Sequence, residues 1–98
     1  MANSIQSARF LIESRLRDAA RGNMQACYDL GVAFSCGVGG IDINLIEAHK
    51  WFNLAASSGS EEGQACRAEI AEEMTAREIA EAQRQARAWL SMNTRQAA

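Results

Sequence analysis

Apolar residues recur along most of this chain at the three- and four-residue spacing that is typical of amphipathic helices. Ile5, Ala8, Ile12 and Leu16 form the first apolar stripe, and similar stripes follow it along the chain. The pattern predicts five helices and a small, polar tail that we expect to fray. The predicted helices span 4–21, 23–37, 44–58, 60–73 and 75–91, and the tail is 92–98.

Residues that favour helix ends separate these stripes. Gly22, Gly37 and Gly59 are predicted helix stops. Asn23 and Ser60 are predicted to cap the helices that follow the first and the last of these glycines. These signals support the boundaries that the apolar pattern suggests.

Two further helix starts have the spacing of capping boxes, Asn44 with Glu47 and Thr75 with Glu78. Gly31 lies inside the second predicted helix, where a glycine costs about 1 kcal/mol relative to alanine. We therefore expect a neighbouring helix to approach closely at Gly31.

The apolar stripes also predict the core. Leu30, Phe34 and Phe52 are expected to be almost fully buried and to touch each other or share neighbours. Trp51 either closes the junction to the next helix or stands partly exposed as a binding anchor. The fifth helix is expected to dock through a stripe formed by Ile79, Ala82, Ala86, Trp89 and Leu90.

Composition and charge limit the class of protein. The 98 residues suffice for one domain, 1–98, and the chain is 48% hydrophobic with no proline. A net charge of −2 without a basic run argues against nucleic-acid and anionic membrane partners. No apolar stretch approaches the roughly 20 residues of a membrane span, and 1–6 lacks the features of a signal peptide. We therefore expect a cytoplasmic protein.

Candidate catalytic chemistry is sparse. His49 is the single histidine, and we expect it at a surface or boundary position without a catalytic partner. The loop 37–40 lacks the Lys-Ser/Thr of a phosphate-binding loop, and the cysteines form no zinc-ligand cluster. We expect no catalytic residue, metal or cofactor. Sequence spacing does not exclude a triad assembled in space, so a small hydrolase is the weaker alternative.

A helix-pair repeat is indicated by two motifs, Ala19-x-x-Gly22 and Ala56-x-x-Gly59, which start at positions 19 and 56. Between them runs Ala26-x-x-x-Leu30-Gly31-x-x-Phe34-x-x-Gly37, then Ala48-x-x-Trp51-Phe52-x-x-Ala55-Ala56-x-x-Gly59. This stretch, about a third of the chain, resembles the Sel-one-like repeats, relatives of the tetratricopeptide repeats. The resemblance implies an all-α fold of about five antiparallel helices stacked as a short right-handed α-α solenoid.

The resemblance also departs from the family pattern. Arg67-Ala68 stands where a second Leu-Gly would fall, so the fourth helix resembles a degenerate half-repeat. The stretch 69–90 is similar to a terminal cap that covers the open end of a stack. Some secreted relatives carry paired cysteines, but Cys27 and Cys36 would lie about 13 Å apart along one helix. That separation is too large for a disulfide, and all three cysteines, including Cys66, are expected to be free thiols.

The family implies a concave binding face lined by the first helix of each pair, and hence a protein-protein interaction module. A basic or helical segment of another protein is the expected ligand. The alternative is that the glutamates on this face form an ordinary solvated surface. The expected site residues are Gln25, Tyr28, Val32, Glu69 and Glu72, within a wider face that includes Ser35, Cys36, Glu62, Ala65 and Glu73.

Substitutions Tyr28→Ala and Glu69→Lys are expected to be neutral for folding, because Tyr28 lies off the core stripe of its helix. A second interpretation is a self-associating unit. Phe10 and Leu11 lie off the apolar stripe of the first helix, so this helix could pair with that of a second copy in a homodimer.

Overall fold

The protein is all-α, as its sequence predicts. A computed structural model describes the backbone of residues 4–97 and the side chains of residues 6–93, and no β-strand occurs in that range. The helices are α1 (Ser4–Ala20), α2 (Met24–Cys36), α3 (Leu45–Ser57), α4 (Glu61–Ala71) and α5 (Ala76–Ala97), with a 3₁₀ turn at Val38–Gly40. The side chain of Ile5, assigned above to the first stripe, lies outside the described residues.

Helix α3 is the centre of the fold. It packs against α2, α4 and α5, while α1 lies on α2 and the 3₁₀ turn. Helix α5 runs along α3 and makes little contact with α4. The last helix therefore covers the central helix, whereas a regular repeat would place it beside the helix that precedes it.

Small residues and two tryptophans attach α5 to α3. Ala82 and Ala86 are buried, and the Trp89 ring meets the Trp51 ring edge-on with their centroids 4.8 Å apart. Trp51 is itself buried, and its indole N–H donates to Glu47 Oε2 at 3.0 Å. Trp51 is thus buried and not a partly exposed anchor, but the helix that it joins to α3 is α5 and not the next helix, α4, as expected. Leu90, expected to dock with this stripe, is 48% exposed.

The fifth helix does not end at Ser91 as predicted but continues to Ala97. The predicted frayed tail is therefore helical as far as the structure describes it, and Ala98 lies outside the described residues. The physical reason is that no glycine or proline follows Ser91, so nothing in the chain stops the helix.

The predicted caps form, with one difference. Thr75 and Glu78 make a complete capping box. The Thr75 N–H donates to Glu78 Oε1 at 2.8 Å, and the Glu78 N–H donates to Thr75 Oγ1 at 3.1 Å. Asn44 accepts the Glu47 N–H at 3.0 Å, but the Glu47 carboxylate accepts from Trp51 instead of returning to Asn44. Only half of that predicted box exists, because the carboxylate has a side-chain donor on its own helix.

The close approach predicted at Gly31 is present, and its partner is Phe52. A Cβ atom added to Gly31 would lie 2.5 Å from ring carbons of Phe52. Leu30 and Phe52 are buried as predicted, whereas Phe34 is only partly buried. Helix α2 ends soon after Phe34, so fewer helices surround its last turn. Phe34 still packs against both clusters of core residues, one around Leu30 and the other around Phe52.

Candidate partner-binding surface

Tyr28 lies where α2 meets α4. Its ring packs against Phe52, with centroids 5.7 Å apart and planes tilted by 52°. Its hydroxyl lies 4.0 Å from Cys66 Sγ on α4. The hydrogen bond to Cys66 raises the pKa of Tyr28, and the nearby charges of Glu62 and Asp29 act in the same direction. Tyr28 is therefore a neutral, half-exposed phenol between two helices.

Helical spacing shows which α4 residues flank this phenol. Glu62 precedes Cys66 by four residues and Glu69 follows it by three, so both share the face of Cys66. Glu72 follows Cys66 by six residues and lies about 120° away around the helix. We name the surface formed by Tyr28, Val32, Cys66, Glu62 and Glu69 the α2–α4 seam.

The structure brings three of the five expected site residues to the seam. Tyr28 and Val32 are half-buried there, and Val32 packs against the cluster that contains Phe52. Glu69 is exposed, and its spacing from Cys66 places it on the face of α4 next to Tyr28. Gln25 and Glu72 are also exposed but lie elsewhere.

Gln25 belongs to the edge between α1 and α2. Its side-chain amide donates to Asp29 Oδ1 at 3.0 Å, and Asp29 forms an ion pair with Arg15 of α1 at 3.1 Å. Glu72 caps the C-terminus of α4 on a side turned away from Cys66. Glu62 takes the place expected for Glu72, and its i, i+4 relation to Cys66 is the sequence signal that could have identified it.

The carboxylates of α4 carry charge that no described side chain neutralises. The ion pairs among residues 6–93 join Arg15 to Asp18 and Asp29, Lys50 to Glu47, and Arg84 to Glu81. None of these ion pairs includes a glutamate of α4. The seam therefore combines a half-exposed aromatic ring with two unpaired negative charges.

Tyr28 contributes to packing as well as to this surface. Its ring contacts Phe52 and borders both core clusters. The expectation that Tyr28→Ala is neutral for folding is therefore wrong, because truncation would remove part of the contact between α2 and α3. The Glu69 side chain is exposed and makes no such contact, so charge reversal there remains the better probe of binding.

His49 is buried, contrary to the expectation of a surface or boundary position. It is 3% exposed, and its Nδ1 has no hydrogen-bond partner. Burial lowers the pKa of His49, and the positive charge of Arg67 on α4 lowers it further. The burial of His49 could not be predicted from the sequence, because it depends on α4, which packs over the face of α3 that contains His49.

Acid should destabilise the protein through His49. Since its pKa in the folded state is below the ordinary value of 6.5, unfolding takes up a proton once the pH falls below about 6.5. The free energy of unfolding should therefore decrease from about pH 6.5 downwards, by at most about 1.4 kcal/mol per pH unit for this one group. Urea denaturation from neutral pH to about pH 5 measures this slope, above the range in which most carboxylates titrate.

The control for this experiment is His49→Leu. It removes the titrating group together with the unpartnered Nδ1, so it should be neutral or stabilising by about 1 kcal/mol at neutral pH. It should also flatten the slope below pH 6.5. An equal slope in the variant and the original protein would show that other groups cause the acid sensitivity.

A cavity of about 320 Å³ lies between the ends of α1, α3 and α5. Its floor is apolar and includes Cys27, Leu54 and Trp89, and Arg21 lies at its border. Burial raises the pKa of the Cys27 thiol to about 11, so at neutral pH it is a poor nucleophile. All three cysteines are free of disulfides, as expected.

The described residues contain neither a cluster that could hold a metal ion nor a membrane-spanning helix. Among side chains 6–93, no three His, Cys, Asp or Glu residues are grouped so that they could hold a metal ion. None of the described helices combines the length and apolar character needed to cross a membrane. Comparison with protein-family models, curated protein sequences and solved structures found no significant match to the chain.

Proposed function

We propose that this chain is a protein-interaction module and that the α2–α4 seam binds a segment of another protein. The segment would be basic and would carry one apolar side chain. The observation that carries the proposal is the placement of the half-exposed Tyr28 ring beside the unpaired carboxylates of Glu62 and Glu69. An aromatic side chain at the centre of a contact with charges around it is a common arrangement at protein interfaces.

The charge and the shape of the seam favour this ligand. Lys or Arg side chains would meet Glu62 and Glu69, and these exposed charges would mainly steer association and set orientation. The apolar side chain would contact Tyr28 and Val32, which already rest on the core and lose little freedom on binding. A helix or an extended segment lying parallel to α2 and α4 would reach all four residues.

The proposed architecture is a short stack of Sel-one-like repeat helices in which α2 and α3 form the full repeat. This proposal is supported by the residue pattern from Ala26 to Gly59 and by the Gly31–Phe52 contact between α2 and α3. A binding role, with no catalytic activity, agrees with the lack of a hydrogen-bonded partner for His49 Nδ1. The proposed location is the cytoplasm, where three free thiols are stable.

The test is affinity capture with the seam charges reversed. The variant Glu62→Lys/Glu69→Lys should retain at least about tenfold less partner protein than the original protein does. Quantitative mass spectrometry of proteins retained from native lysate measures this loss. The retained protein should also be released by added salt, because exposed charges are screened beyond about 8 Å at physiological ionic strength.

A matched control comes from the same helix. Glu61→Lys/Glu72→Lys makes the same change of charge at the first residue and the C-cap of α4. These carboxylates lie about 140° and 120° around the helix from Cys66. This variant should keep the partner. If both variants lose it equally, overall charge and not the seam governs binding. If the seam variant keeps every captured protein, the proposed site is wrong.

A further inference from the structure

The outer face of α1 carries a large apolar side chain that the described part of the chain leaves exposed. Phe10 is 73% exposed, the highest value among the exposed large hydrophobic residues. It lies about 160° around the helix from the buried Ala8, and therefore points away from α2. Gln6, Arg9 and Glu13 border a shallow depression of about 280 Å³ beside Phe10.

The charges on this face are opposite, and none of the side chains in 6–93 pairs with them. Arg9 and Glu13 form no ion pair with another described side chain. They are four residues apart, but an acidic residue is better placed before the basic one for pairing within a helix. Both charges are therefore free for contact with another molecule.

We infer that the outer face of α1 binds the same face of a second copy in an antiparallel helix pair. A two-fold axis that crosses this face at the level of residue 11 along α1 would place Arg9 opposite the partner's Glu13 and Glu13 opposite the partner's Arg9. In that register the two Phe10 side chains lie about 3 Å apart along the helix axis. Each ring then covers its counterpart, next to the depression bordered by Gln6.

This contact is independent of the seam. Arg15 lies on the edge of α1 that faces α2, where it pairs with Asp29. Phe10 points away from that edge, so pairing through Phe10 leaves the α2–α4 seam uncovered. A dimer of this kind carries two seams and could bind a bivalent partner more tightly than one seam alone.

The size of α1 sets the strength of the dimer. The helix has 17 residues, a length of about 25 Å. One helix from each copy gives a contact at the small end of protein interfaces, below roughly 1,200 Å². The dimer should therefore dissociate in the micromolar range, and its population should rise with protein concentration.

Sedimentation equilibrium from low micromolar to submillimolar concentration tests this inference. The original protein should show a monomer-dimer equilibrium, and Phe10→Glu should raise the dissociation constant at least about tenfold. Glu13→Arg should also raise it, because both charges at each contact are then positive. The exchange Arg9→Glu/Glu13→Arg restores opposite charges across the axis, so its dissociation constant should be lower than that of Glu13→Arg, although the exchanged order also favours pairing within each helix.

The control is Met92→Glu, which places an acid on another exposed apolar residue, 57% accessible, on α5. It should leave the equilibrium unchanged, and circular dichroism should show that every variant keeps its helix content. A protein that stays monomeric over the whole range overturns the inference. So does a dimer that Phe10→Glu leaves intact, or a charge exchange that dimerises no more tightly than Glu13→Arg. The seam variant Glu62→Lys/Glu69→Lys should still dimerise, which separates this result from the test of partner binding.

Discussion

Replacing Phe52 with alanine is expected to lower the free energy of unfolding by about 3 to 5 kcal/mol. Phe52 is 1% exposed and contacts Gly31 and Tyr28 of α2. It also belongs to the cluster that contains Ile70 and Ala82, and thus joins α2, α4 and α5 to α3. The expected loss is a large part of the 5 to 15 kcal/mol that stabilises a typical domain. Chemical denaturation followed by circular dichroism measures it.

Phe34→Ala is the matched control, since it removes the same atoms from a side chain that is only partly buried. It should cost clearly less, because part of the Phe34 side chain is already in contact with water in the folded protein. If Phe34→Ala costs as much as Phe52→Ala, the centre of the core lies nearer the end of α2 than the structure places it. Phe52→Ala with no measurable cost would contradict the central position of α3.

Local signals in the sequence account for most of the helix boundaries. Asn23 accepts the Ala26 N–H at 3.0 Å, and Thr75 with Glu78 forms the complete capping box. Gly22, Gly37 and Gly59 all have positive φ, as helix stops often do. These features involve residues within four positions of each other, so a reader of the sequence can find them without knowing the fold.

Features that depend on distant parts of the chain were harder to predict. His49 is buried because α4 packs over it, and Leu90 is exposed because α5 meets α3 mainly through Ala86 and Trp89. The apolar pattern gives each helix a buried face but does not say which helix covers it. The docking of α5 along α3 could not be read from the repeat motif, since a regular repeat implies a different neighbour.

The same limit applies to the candidate site. Spacing along α2 correctly grouped Tyr28 with Val32, because both lie on one helix. The carboxylates opposite them depend on the rotation of α4 about its own axis, which only the Tyr28–Cys66 contact reveals. Once that contact is known, helical spacing places Glu62 and Glu69 at the seam and Glu72 away from it.

Replacing Gly31 with alanine is expected to destabilise the protein, although alanine favours a helix more than glycine does. In an exposed helix, Gly→Ala adds about 1 kcal/mol of stability. At Gly31 the new Cβ would lie 2.5 Å from Phe52 Cδ1 and Cε1, and the buried ring has little room to move. Overpacking of this kind costs about 1 to 3 kcal/mol. After the gain in helix stability is subtracted, Gly31→Ala should lower the free energy of unfolding by up to about 2 kcal/mol.

Phe52→Leu supplies the control, because leucine lacks the ring atoms that the new methyl group would meet. On its own, Phe52→Leu should be destabilising. In its presence, Gly31→Ala should cost less than in the original protein, or even add the stability that alanine gives a helix. The two substitutions should thus couple favourably, by about 0.5 to 3 kcal/mol in a double-mutant cycle measured by denaturation. Additive effects would mean that the Gly31 backbone and the Phe52 ring do not touch, and the close crossing of α2 and α3 would have to be rejected. A stabilising Gly31→Ala in the original protein would lead to the same conclusion.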